Sequence, residues 1–203
     1  MPTVKFRHSM LKTDLEKLFR VDCSRDTSAL QKIFTLLFGY GFHAICVYRF
    51  GRLIDRYFNK PHLFPVYFIL QAIAAFLRAS VNLFYGIYID KNARIGCSFY
   101  IGHFGSIYIG PAIIGDNCSV HQSVTVKSAA GKAGSKRTIL GNNIWIGAHS
   151  SISEGVRISD GVTVAAGTMV ISDIEKSNAL IMGNPGRIIL KFYSNTHLMG
   201  TAP

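Results

Sequence analysis

The chain is poor in negative charge. Eleven Asp and Glu stand against 22 Lys and Arg, and charged residues make up only 16% of its 203 positions. With 49% hydrophobic residues, this composition excludes a disordered chain and implies a packed protein with a rather apolar surface. Cysteine is sparse. Cys23, Cys46, Cys97 and Cys118 show no CxxC spacing, which argues against a disulfide framework and for reduced thiols in a cytoplasmic protein. The opening "MPTVKFRHSMLKTDLEKLFR" lacks the apolar core and small-residue cleavage site of a signal peptide. Long hydrophobic runs are missing too. The apolar stretch 64–77, "FPVYFILQAIAAFL", is closed by Arg78 and falls short of the roughly 20 residues a membrane span needs, so it reads as a buried or interfacial helix. No basic run is interleaved with aromatics, so nucleic acid is not expected as a partner.

What is present divides at about residue 86. Residues 1–86 carry 12 Lys and Arg against 5 Asp and Glu, and residues 87–203 carry 10 against 6, so the excess of +7 in the first part exceeds the +4 of the second. A basic excess favours anionic partners such as phosphates, acidic glycans or anionic lipid. The first part reads as helical. Thr13 with Glu16 three residues on has the pattern of a helix N-cap, and apolar residues at helical spacing follow, with breaks at Gly39 and Gly41. A third helix is expected over about 66–84.

From Ile89 aliphatic residues recur every six positions. They are Ile89, Ile95, Ile101 and Ile107, then Ile114, Val120 and Val126, then Leu140, Ile146, Ile152, Ile158, Val164 and Val170. A period of six fits neither the roughly 3.6 of a helix nor the 2 of a strand. It is the hexapeptide signature of a parallel β-helix, in which each repeat is one short strand and one corner and three repeats make a coil. The fold class expected is α+β, mainly β: a left-handed parallel β-helix with an N-terminal helical domain and a short C-terminal extension. The divisions are 1–86 helical, 87–175 β-helix of a little over four coils, and 176–203 tail. The step from Ile107 to Ile114 is seven, one longer than the repeat. Residues 127–139, "KSAAGKAGSKRTI", hold no anchor and read as a loop thrown out of the prism, carrying Lys127, Lys132, Lys136 and Arg137.

Counting strands in threes puts Ile101, Val120 and Ile146 on one edge, in coils about 4.8 Å apart. The residues just past them include His103, His121 and His149. A residue past an inward anchor points outward, so His103 is not expected in the core. An imidazole in a cleft between prisms can take a proton from an alcohol. Three histidines on one edge also invite comparison with zinc-holding carbonic anhydrases of this prism. Their offsets of two, one and three residues past the anchors spread them along the edge, so no metal is expected.

The motifs "IGHFGSIYI", "HQSVTV", "AAGKAGSKR", "IWIGAHSSI" and "MGNPGRII" resemble, in that order, the left-handed β-helix acyltransferases. The resemblance covers 87–190 and is nearest to the serine acetyltransferase-like branch. The "VYRFGR" segment and apolar helices look like the annex of polysaccharide and sugar O-acetyltransferases. The resemblance implies acetyl-CoA as co-substrate, no metal, and a homotrimer, alone or paired, with coenzyme A bound between prisms. It implies His103 as general base for direct attack of a hydroxyl on the thioester, with His121 beside it as a second catalytic candidate. It implies coenzyme A contacts from Gly131, Lys132 and Arg137 in the loop, from Gly147 and Ala148, and from Gly183, Asn184, Pro185 and Arg187. Three places depart from the serine acetyltransferase pattern. Gly102 and Tyr88 stand where carboxylates are expected, and Thr138 stands where a second histidine is expected. The expectation drawn is therefore acetyl transfer to a sugar hydroxyl of a surface polysaccharide or its precursor, with L-serine as the alternative acceptor. A non-catalytic trimeric scaffold is a further alternative. Residues 1–86 are expected to touch the inner face of a membrane peripherally.

Overall fold

A computed structural model describes residues 10–23, 27–129 and 136–200. Four helices come first: α1 (Met10–Asp22), α2 (Ala29–Phe38), α3 (Tyr40–Tyr57) and α4 (Phe64–Tyr85), with a short 3-10 turn, Pro61–Leu63, before α4. Thr13 is not the N-cap expected of it. It lies inside α1, where its hydroxyl donates to the Met10 carbonyl at 2.8 Å. The capping box is instead at α2, where the Ser28 hydroxyl accepts from Gln31 N–H and the Gln31 side chain accepts from Ser28 N–H. The break at Gly39 turns α2 and α3 by 67°. The third helix expected over about 66–84 is α4, which runs on past Arg78 to Tyr85, where Gly86 closes it in the left-handed conformation at φ 62°.

Among the described residues fifteen strands follow, mostly of two residues. Three parallel sheets form the prism. Strands β1 (Ile87–Ile89), β4 (Ile107–Ile109), β7 (Thr125–Val126), β10 (Ser151–Ile152) and β13 (Met169–Val170) make one. The second holds β2 (Arg94–Ile95), β5 (Ile113–Ile114), β8 (Ile139–Leu140) and β11 (Arg157–Ile158). The third holds β3 (Tyr100–Ile101), β6 (Ser119–Val120), β9 (Trp145–Ile146), β12 (Thr163–Val164) and β14 (Leu180–Met182), with β15 (Arg187–Leu190) added antiparallel. The aliphatic anchors stack in register, Ile101 on Val120 on Ile146 on Val164 on Ile181. They are almost wholly buried, which is the α+β, mainly β, left-handed β-helix expected from the repeat. Parallel pairing of β14 with β12 extends the prism into a fifth coil, beyond the four or so counted from the spacing.

One anchor differs from the expected series. Ile109, not Ile107, shares the register of Ile89, Val126 and Ile152. The seven-residue step is therefore a step of eight, Ile101 to Ile109, followed by one of five, Ile109 to Ile114. The segment Ile107-Tyr108-Ile109 has two aliphatic residues two apart, and both point inward in a strand, so spacing alone could not choose between them. The two additional residues widen the corner that carries His103.

The helices close the open end of the first coil. Its edge groups would otherwise be unpaired. Tyr48 hydroxyl donates to Ala93 O at 2.8 Å and accepts from Ile95 N–H. Arg49 donates to Ile95 O at 2.7 Å and to Gly96 O. Asp14 accepts from Phe99 N–H at 2.8 Å and pairs with Arg49 at 2.9 Å, both side chains being buried. Gly41 of α3 lies so close to β3 that a Cβ there would sit 2.2 Å from Ile101 O.

Candidate active site

The corner between β3 and β4 holds Gly102, His103, Phe104, Gly105 and Ser106. His103, Gly105 and Ser106 all have positive φ, at 64°, 98° and 54°, so the chain loops outward here and leaves His103 exposed. The helices hold the corner from behind. Gly105 N–H donates to Tyr85 O at 2.9 Å, and Phe104 packs edge-on against Tyr40 at 5.2 Å.

On the next coil His121 lies between two glycines. A Cβ on Gly102 would fall 2.8 Å from His121 Nδ1, and a Cβ on Gly147 would fall 2.9 Å from the Trp145 ring. The gap lets the His121 ring pack on Trp145 at 4.7 Å and stand 6.5 Å from the His103 ring. Burial first, then repulsion from His103, lowers the His121 pKa from 6.5 to about 4. His121 is therefore a neutral imidazole at physiological pH. The expected proximity of His103 and His121 is met. His149 is on the same edge but not in the same file: its N–H donates to Gln122 O, and its φ of 60° matches Ser123 on the coil before it. Among the described residues no group of three or more His, Cys, Asp and Glu side chains could hold a metal ion.

Tyr100 of β3 borders the same space. Its hydroxyl donates to Asp22 of α1 at 2.5 Å, and its ring lies 6.3 Å from His121. Sequence reasoning missed Asp22, because it is 78 residues away from its partner and in a segment read only as helix. Tyr88 and Tyr108 stack at 5.1 Å on the outer face of β1 and β4.

The loop before β8 rises from a fixed base. Thr138 is buried, and its hydroxyl donates to Lys127 O at 2.5 Å and accepts from Gly155 N–H at 3.0 Å. Gly131 and Lys132 lie outside the described residues, whereas Arg137 is half-buried beside Thr138. Gly147 and Ala148 form the corner after β9, a position where Gly147 is required because its Cβ would meet Ala166 N at 2.6 Å. Gly183, Asn184 and Pro185 make the turn from β14 to β15, and Arg187 opens β15.

No family model matches the chain. Relatives in sequence are serine acetyltransferases. The enzyme of Synechococcus elongatus is 30% identical over 174 residues, which are 85% of this chain and 66% of that one. The enzyme of Bacillus licheniformis is 28% identical over 183 residues, 90% of this chain and 77% of that one. Among solved structures, soybean serine acetyltransferase complexed with serine superposes with a TM-score of 0.70 at 26% identity, over 89% of this chain and 68% of that one. Serine acetyltransferase of Brucella abortus in complex with coenzyme A superposes at 0.72 and 22% identity, over 91% of this chain and 68% of that one, a likeness of fold. The chain thus spans about two thirds to three quarters of the length of these proteins. Sequence and fold together support the hexapeptide-repeat acyltransferase family for this chain. Within that class the similar proteins are serine acetyltransferases. The expected nearness to polysaccharide O-acetyltransferases finds no support among them.

Proposed function

We propose that the chain is an acyl-CoA-dependent O-acetyltransferase with acetyl-CoA as donor. The observation that carries this reading is an exposed His103, on a corner widened by two residues, beside a neutral His121. His103 takes the proton of the acceptor hydroxyl as its oxygen attacks the thioester carbonyl. The tetrahedral adduct then expels the coenzyme A sulfur, which receives that proton from the imidazolium. The one proton and the acyl group are accounted for without an acyl-enzyme. Lys132 and Arg137 suit the coenzyme A phosphates, and the corner at Gly147–Ala148 and the turn at Gly183–Pro185 with Arg187 suit its extended arm. His103→Ala is expected to lower turnover by about 10²–10⁴-fold at unchanged coenzyme A affinity. Turnover near that of the wild type would remove His103 from the chemistry, and coenzyme A failing to bind the wild-type protein would favour the scaffold alternative.

The relatives favour L-serine as acceptor over the sugar hydroxyl expected from sequence. The sugar reading keeps one specific support. Gly102 has no room for the expected carboxylate, since its Cβ would meet His121 Nδ1 at 2.8 Å, and Tyr88 is stacked on Tyr108 where the other was expected. Thiol release from acetyl-CoA with L-serine, set against a panel of neutral and acidic sugars, decides between them.

Assembly as a homotrimer and a cytoplasmic location go with this proposal. Peripheral contact with the inner face of a membrane is its finest part. Its support is the exposed Phe64, Phe68 and Phe76 of α4, with Lys60 just before the helix. The helical segment Pro61–Tyr85 is long and apolar enough to cross a membrane, unlike the shorter run expected from residues 64–77. Sedimentation with anionic vesicles at low salt tests the contact; protein left in the supernatant assigns the face to subunit contacts.

A further inference from the structure

The carboxylate expected in the histidine corner is missing, and a side chain at Gly102 would have to displace the His121 ring, since its Cβ would lie 2.8 Å from Nδ1. A carboxylate nevertheless reaches the site from another element. Asp22 stands at the C-terminal end of α1 and binds Tyr100, whose ring lies 6.3 Å from that of His121, itself 6.5 Å from the His103 ring. Its Oδ1 accepts from the Tyr100 hydroxyl at 2.5 Å, the short length of a charge-assisted bond. Tyr100 is buried to 7% exposure and begins at the very strand that leads into the corner, so the phenol is a fixed post. Its Cε1 lies 3.0 Å from where a Gly102 Cβ would be. The absence of a side chain at Gly102 thus opens the space between Tyr100, His121 and the corner.

We propose that Asp22, held by Tyr100, is a positioning residue for the acetyl transfer: its negative charge favours the imidazolium that forms on His103 when the acceptor hydroxyl gives up its proton. The inference rests on the role proposed for His103 above. A base that becomes cationic during the reaction gains from a fixed anion nearby, and the gain appears only as the charge develops. The surroundings leave this role to Asp22. His121 stays neutral, burial having lowered its pKa to about 4. On α1, Lys17 is committed to Cys118 O at 3.1 Å, and Arg20 is the remaining cation of that turn. Among the charged groups on α2 and α3, Arg49 is engaged by Asp14, and Lys32 lies on the exposed side of α2. Burial raises the pKa of Asp22 itself, while the Tyr100 hydroxyl and His103 lower it, so the charged form depends on those two partners.

The test uses Asp22→Asn, which keeps the shape and an acceptor for the Tyr100 hydroxyl at the exposed end of a helix. Two readouts are needed. The first is NMR titration of the His103 ring in the full-length protein. In the variant, the half-point should move to lower pH, the direction that loss of a nearby negative charge gives. The second is steady-state kinetics with acetyl-CoA and L-serine. The variant should lose about threefold to tenfold in kcat, with the acetyl-CoA KM unchanged and the acid limb of the pH profile moved to lower pH. Tyr100→Phe, which frees the carboxylate, should move both readouts in the same direction by less. An unmoved His103 titration in Asp22→Asn overturns the proposal whatever the activity. A moved titration with an unchanged kcat overturns it as well, because the charge would then serve no step. Failure of His103→Ala to lower turnover, with the titration still moved, would instead indict the role of His103.

Discussion

Lys17→Met should stabilise the protein at neutral pH. Lys17 is a helix residue with 0% exposure. Its ammonium donates to Cys118 O at 3.1 Å and lies 3.7 Å from Met199 Sδ. Burial, the largest cause, lowers its pKa from 10.5 to about 8. A displacement of that size corresponds to about 3 kcal/mol of cost to the charged form. Removing the ammonium orphans no acceptor, since Cys118 O still receives Tyr100 N–H at 3.0 Å. Methionine matches lysine in length and helix propensity, and its thioether suits a site that already holds Met199. Loss of the ammonium's hydrogen bond takes back about 1 kcal/mol. The expected net gain is about 1–2 kcal/mol at pH 7. Its pH dependence has a definite sign. Below about 8 both the folded and the unfolded chain hold the proton, and the burial cost is present in full. Between 8 and 10.5 the unfolded chain holds a proton that the folded chain has lost, so the wild type gains stability from this group as pH rises. The advantage of the variant should therefore shrink between pH 7 and pH 10. Urea unfolding followed by circular dichroism at the two pH values measures it. A variant less stable than the wild type at pH 7, or an advantage that holds undiminished at pH 10, would refute the reasoning.

Gly41→Ala should push α3 off β3, because its Cβ would lie 2.2 Å from Ile101 O and 2.7 Å from the Ile101 Cβ; a loss of about 2–4 kcal/mol is expected in thermal unfolding, and a melting point at the wild-type value would contradict the close approach. Arg49→Met leaves the buried Asp14 carboxylate with Phe99 N–H alone and strips Ile95 O and Gly96 O of their donor, for a loss of about 3–5 kcal/mol. Adding Asp14→Ala to that variant should cost less than the sum of the two single changes, which a double-mutant cycle measures. His121 has a folded pKa of about 4 against 6.5, so the unfolded chain binds a proton first as pH falls, and stability should drop across that window. His121→Asn should flatten the slope by about 1–2 kcal/mol over the window, after allowance for its partial exposure; an unaltered slope would mean that the ring is solvated.

The prism was legible because its grammar is strict. One inward aliphatic residue every six positions is enough to imply three sheets and the stacking of Ile101, Val120 and Ile146. The same rule failed at Ile107-Tyr108-Ile109, where two residues satisfy it, and the error displaced the irregularity from the His103 corner to the next one. Read correctly, a step of eight followed by one of five marks the place where the chain departs from the repeat, and the departure is where the histidine stands. The fifth coil was missed for a related reason: Ile174 and Ile181 are four and eleven residues past Val170, so the spacing of six had lapsed although the pairing continued.

The helical half was legible only as helix, and the reason lies in α1. Amphipathic reading assigns apolar residues to the buried side of a helix and charges to water. Here the side that meets the prism bears Asp14, Lys17 and Asp22, spaced three and five apart along one flank. Asp14 satisfies the Phe99 amide that the β-helix leaves over, Lys17 adds a second donor to the Cys118 carbonyl already paired with Tyr100 N–H, and Asp22 accepts from the Tyr100 hydroxyl. A β-helix end exposes backbone polar groups rather than an apolar face, so the helix that covers it must carry polar side chains inward. The consequence reaches the site. The rod that seals the first coil through Asp14 is the same rod that ends in Asp22, so the carboxylate beside His103 is placed by the cap. A shift of α1 at Asp14 would therefore be felt at the histidine corner as well as in stability.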